Sequence, residues 1–215
     1  MRVLIWLASL AAALALSACV KTDADHFSTT YLDQYATPNP TLAEFSECHG
    51  FGCLVVSHVS LSKEAWQRVV AVFKPPAKDA QAERQRIARA VALMQILVGG
   101  QTGTSNHQWT HKDLEILPNK GDTSQLDCID EAINTWTYMT LMERAGLFRF
   151  HSVARLSHAG TLMDIRNAAV FQEKDGAYFA IDPSLVDVGV PPPIMPLTTW
   201  LDHWPPDLPP SDAHS

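Results

Sequence analysis

Apolar residues recur at helical spacing in three stretches of the chain and alternate in others, with polar or proline-rich segments between them. After Asp127, the residues Ile129, Ile133, Trp136 and Thr140 fall at i, i+4, i+7 and i+11. Ala132, Met139 and Met142 widen that stripe, which predicts a helix burying one face. Asp127 reads as its N-cap and Cys128 as its first residue, while Arg144 and Gly146 mark its end. Upstream, Ser60 or Ser62 caps a helix over about 63–73 with Ala65, Trp66, Val69, Val70 and Phe73 on one side, stopped by Pro75-Pro76. A longer helix over about 80–98 turns Ile87, Ala90, Val91, Met94, Leu97 and Val98 inward. Glu83, Arg84, Arg86 and Arg89 form its solvated face, and Gly99-Gly100 ends it.

Beyond Gly146 the period changes. Residues 147–156 alternate Phe148 and Phe150 with Arg149 and His151, which predicts a strand. Residues 167–173 and 178–182 are two more, joined by Asp175-Gly176, a hairpin signal. A two-residue loop there sets Lys174 opposite Ala177 and Ala169 opposite Asp182, so Asn167 shares the face of Asp182 and Arg166 points away. A one-residue slip exchanges them. A short segment from Cys48 includes a strand over 53–59. The expected fold class is α+β: a helical N-terminal half packed on a small antiparallel β-sheet, with Cys128 at their junction. The long stretch 101–126 lacks periodicity and stands directly before Cys128, the usual place of a functional loop. Trp200 and Trp204 pack a short helix or turn back on the domain.

A chain of 215 residues, 47% hydrophobic and 18% charged, fills one core. Its formal charge of −7 leaves no basic stripe for phosphates, so nucleic acid is not an expected partner. Arg2 followed by an apolar run to Ala15 reads as a signal peptide over 1–18, too short to cross a bilayer as a permanent helix. Residues 19–44 then read as a flexible tether, 45–204 as the folded domain and 205–215 as a disordered Pro-rich tail. Leu16-Ser17-Ala18-Cys19 resembles the lipobox of bacterial lipoproteins, which implies cleavage before Cys19 and acylation of its thiol. Because Val20 is not Asp, the sorting rule of such proteins implies the outer membrane, facing the periplasm, within the bacterial cell envelope.

An oxidising compartment favours a Cys48–Cys53 disulfide around HGFG. The alternative, a metal site of Cys48, His49, Cys53 and His58, matches no common zinc spacing, so no metal or other cofactor is expected. Cys128 remains. At a helix N-terminus a thiolate is stabilised by the dipole, although Asp130 and Glu131 in the same turn oppose it, and the site needs a cationic partner. A small buried apolar residue is the plainer reading of such a cysteine. Trp109 and Gln125 are candidates to line a cleft or to donate to an oxyanion.

Cysteine at a helix start, a strand, a hairpin and then Asp-Pro resembles the transglutaminase-like branch of the papain-like cysteine enzymes. The resemblance covers about 126–185, through Asp127-Cys128, Ala145-Gly146-Leu147, Asp175-Gly176 and Ile181-Asp182-Pro183. Ser105 to Met139 also resembles a group of proteobacterial envelope proteins. The resemblance implies a transglutaminase-like core, with Cys128 as nucleophile and Asp182 orienting a His that acts as base. At or beside the place of that His stand Arg166, Asn167 and Ala168, and Asn cannot serve as a base. His151 and His158 are the substitutes. Two functions follow: thiol-dependent hydrolysis or acyl transfer on an amide or ester of an envelope peptide or protein, or an inactive pseudoenzyme that binds or scaffolds.

Overall fold

A computed structural model describes residues 27–28, 30–107, 122–161 and 164–202. Strand β1 (Phe27–Ser28), helix α1 (Thr30–Tyr35) and the hairpin β2 (Phe45–His49) and β3 (Val55–Val59) come first. Helices α2 (Lys63–Val72), α3 (Ala80–Thr102) and α4 (Cys128–Arg144) follow. The chain closes with β4 (His151–Val153), β5 (Leu156–Thr161), β6 (Asp164–Glu173), β7 (Tyr178–Ile181), β8 (Ile194–Pro196) and α5 (Leu197–Asp202). Helices and antiparallel sheets thus share the chain. One sheet runs β1-β5-β6-β7-β8 with β4 also on β6, and β2-β3 stands apart.

The central element is α4. Asp127 caps it, with Oδ1 accepting from the N–H of Ile129 and of Asp130, while Asp130 returns a bond to the N–H of Asp127. The main core gathers Ile133, Met139 and Met142 of α4 with Ile87, Val91 and Met94 of α3, and Ala169 and Phe171 of β6. A second, smaller cluster lies on the other face of the sheet, where Leu197 and Trp200 of α5 cover Ala168, Val170 and Ala180.

Several expectations need correction. The stretch assigned to a tether is partly folded: Leu32 and Ala36 are buried in the main core, and Arg144 donates to the carbonyl of Pro40. The N-terminal half is not purely helical, because β2 forms from residues whose side chains are buried on both faces. Gly99-Gly100 does not end α3. Gly99 lets Ser105 approach, since a Cβ there would stand 3.0 Å from its backbone nitrogen, and Gly103, at φ 81°, is the C-cap.

Glu83 and Arg84 are not on a solvated face. Glu83 is 1% exposed and accepts from the backbone N–H groups of Arg149, Phe150 and His151 at 2.8–3.2 Å, which holds 147–150 out of a strand. The expected strand over 147–156 therefore begins at His151, breaks at Ala154 and resumes as β5. Arg84 donates to Glu173 at 2.6 Å and lies 4.1 Å over the ring of Phe179.

The β6–β7 hairpin is also shifted. Glu173 pairs with Ala177, leaving Lys174, Asp175 and Gly176 in the loop, and Ala169 faces Ile181 instead of Asp182. Gly176, at φ 101°, takes the position that this three-residue turn demands. Alternation along β6 puts Asn167, with Ala169 and Phe171, on the α4 face and Arg166 on the face that α5 covers, and the one-residue slip brings the end of β7 into phase with Arg166 instead of Asn167.

Candidate active site

Cys128 is half-buried at the first position of α4, and the Asn167 Nδ2 donates to its sulfur at 3.6 Å. Alternation with Ala169 and Phe171 along β6 is what turns Asn167 toward α4. Burial pushes the Cys128 thiol up to about 12, and the carboxylates of Asp127 and Asp182 push the same way. The side-chain and backbone amides of Asn167 oppose them. At neutral pH the protonated thiol is therefore strongly favoured. The helix N-terminus offers little relief, because the N–H groups of Ile129 and Asp130 are already given to Asp127.

The carboxylates at this end of α4 are held by the disulfide loop. Cys48 and Cys53 are bridged, as expected, with the S–S bond at 2.05 Å. Gly50, Phe51, Gly52 and Cys53 all have positive φ, so consecutive amides turn inward. Phe51 and Cys53 donate to Asp130 at 2.9 and 2.6 Å, and Gly52 donates to Asp127. Burial nevertheless raises Asp127, and raises Asp130 to about 7 with Asp127 adding to it. His49, weighed as a metal ligand, is instead bonded to Thr123 and Ser57.

Asp182 is buried at the end of β7. Its carboxylate accepts from Ser184 Oγ at 2.6 Å and from Trp200 Nε1 at 2.9 Å, on the α5 side of the sheet. Burial raises it, and those two bonds and the Arg166 charge pull it back. It acts on the Cys128 sulfur through its charge. His151 does not approach: its Nδ1 bonds Glu83 at 3.0 Å, and its ring packs edge-on against Phe171 at the opposite end of β6. His158 is exposed directly across from Asn167 in the β5–β6 ladder, on the face of buried Leu156.

Gln125 bonds His107 Nδ1 at 2.9 Å, and its carbonyl accepts from Gly50, so it braces the approach to α4. Trp109 and Cys19 lie outside the described residues. Sequence reasoning missed Trp200 as the partner of Asp182. It also missed the buried polar group of Glu47, Gln95, Glu131 and Tyr138. An acid inside an otherwise apolar strand, Phe45-Ser46-Glu47-Cys48, was the available signal.

No family model, curated protein or solved structure matches the chain. Among the described residues no helix is long and apolar enough to cross a membrane.

Proposed function

We propose that the chain is a periplasm-facing, outer-membrane lipoprotein of transglutaminase-like fold that no longer carries out thiol catalysis and serves the envelope as a binding or scaffolding module. One observation carries the loss of catalysis: an amide, that of Asn167, stands where a general base would face the Cys128 sulfur. An amide donates to a sulfur but takes no proton from it. The order of thiol-bearing helix, hairpin and buried Asp182 supports the fold reading, and the lipobox-like Leu16–Cys19 supports the anchor. The rate of iodoacetamide alkylation at Cys128 against pH tests it. A rate still climbing above about pH 10 is expected, and a plateau with a midpoint near the ordinary thiol value of about 8.5 or lower would sink the reading. Loss of labelled palmitate and of membrane fractionation in Cys19→Ser tests the anchor.

His158 favours a second reading, in which the thiol still turns over an amide or ester of an envelope peptide. Directly opposed residues of an antiparallel ladder have Cβ atoms about 5 Å apart, so its ring can reach past Asn167. Electrophilic-probe labelling lost in both Cys128→Ser and His158→Ala is the result that would select it.

A further inference from the structure

One turn into α4 from Cys128, the helix meets α3 and β2 around a cavity lined by Glu47, Gln95, Thr104, Glu131, Asn134 and Tyr138, among others. About 10 Å³ is open there to the centre of a water-sized sphere, which is room for a single water or a single ion. Glu47 and Glu131 are each 2% exposed, and Gln95 7%.

The cavity is short of hydrogen-bond donors. The Tyr138 hydroxyl stands 2.7 Å from both oxygens of Glu47 and has one proton for the two. The side-chain amide of Asn134 is used on the backbone of Cys48, donating at 2.8 Å and accepting at 2.7 Å. Gln95 Nε2 reaches Glu131 Oε1 only at 3.5 Å, the outer limit of a hydrogen bond. Glu131 Oε2 and Gln95 Oε1, both buried, have no donor among the described residues. Among the described residues the lining contains no Lys, Arg or His, while Asp182, Asp130 and Asp127 act on Glu131 with further negative charge.

We propose that this cavity is a cation site, holding one hard, oxygen-seeking divalent ion of the Ca²⁺ class between the carboxylates of Glu47 and Glu131 and the carbonyl oxygen of Gln95. The donor set is all oxygen, with neither sulfur nor imidazole, which selects against zinc and copper. Mg²⁺ keeps several waters in a strict octahedron, for which so small a cavity has no room, whereas Ca²⁺ accepts irregular protein cages. Burial raises Glu47 to about 8 and, with the neighbouring carboxylates, Glu131 well above its ordinary value, so the empty pair is held as acids and a bound cation would displace their protons, which a water would not do. The inference does not depend on whether the Cys128 thiol turns over.

The test uses the full chain, stripped with chelator and then titrated with Ca²⁺ and Tb³⁺. Tyr138 touches Glu47 and is placed to sensitise Tb³⁺ emission. Wild type is expected to give that emission, to lose it to competing Ca²⁺, and to unfold about 5 °C or more higher in Ca²⁺ than in chelator. Glu131→Gln and Glu47→Gln are expected to weaken Tb³⁺ binding at least tenfold with unchanged circular dichroism. Unweakened binding in both variants would overturn the site. An unfolding midpoint of the wild type indifferent to Ca²⁺ would do the same without any variant, and would leave the cavity to a proton or a water.

Discussion

Replacing Asn167 with His is the sharpest perturbation of the thiol site, because it returns an imidazole to a sulfur that stands 3.6 Å from the present amide. In the wild type, with the thiol pushed up to about 12, an ordinary thiol near 8.5 would have roughly 3,000 times more thiolate at pH 7.5. The scarcer thiolate is the better nucleophile, which returns a factor of about 40, so alkylation should run about a hundredfold below an ordinary thiol. An imidazolium at about 4 Å, at an effective dielectric near 20, favours the thiolate by about 4 kcal/mol, or about three pKa units. Allowing again for nucleophilicity, Asn167→His should alkylate about fifty times faster than wild type at pH 7.5. The assay is iodoacetamide labelling followed by peptide mass mapping at Cys128 with the disulfide intact. A wild type that labels as fast as a free peptide thiol, or a variant no faster than wild type, refutes the electrostatics. The variant is not expected to become a good hydrolase, because Asp182 remains committed to Ser184 and Trp200 and cannot orient the new ring.

Glu83 should make stability depend on acid. Burial alone would raise it, but the His151 side chain and the N–H groups of Phe150 and Arg149 bring it below its ordinary value of 4.5. Its contribution is then present above about pH 4.5 and lost as pH falls through the lower folded value. Urea unfolding should show Glu83→Gln about 2–4 kcal/mol less stable at pH 7, with the gap closing in acid; a gap constant with pH contradicts the assignment. Removing the disulfide by Cys48→Ser with Cys53→Ser should cost about 2 kcal/mol, since the bridge closes a very short loop, and the same denaturation series checks it. Amide exchange at Phe51, Gly52 and Cys53 should accelerate in that variant, as the loop that holds Asp127 and Asp130 opens.

The three long helices were legible because each carries a stop or cap with a local cause. Ser62 and Asp79 bond the amides of Ala65 and Ala82, and Asp127 bonds those of its own first turn. The disulfide was legible from spacing and compartment. What resisted was decided by partners distant in sequence. Glu83 looks like any charged helix residue until the chain returns at 149–151 with three amides to satisfy. Glu47 and Tyr138 carry no local sign of burial, and the apolar stripe marks one face of α4, whereas β2, α3 and the sheet surround it. The hairpin loop shows the limit most plainly: Asp175-Gly176 marks a turn, but a two-residue and a three-residue loop share that signal, and only packing on α4 chooses between them.

That choice of register has chemical weight. With a two-residue loop Asn167 and Asp182 would share a face and an arginine would lie behind them. With the slip, the acid is bonded to Ser184 and Trp200 and the amide to the sulfur, so the two are not joined in a relay. Restoring a relay by one substitution in β6 would therefore leave it without its acid. The same helix turn carries Asp127, Asp130 and Glu131, with amides of the disulfide loop bound to the first two and the charges of Asp127 and Asp182 acting on the thiol. Negative charge concentrated there disfavours a thiolate and favours a cation, so a helix head that suppresses nucleophilic sulfur is, on the same electrostatic ground, one that would retain a metal ion a turn deeper.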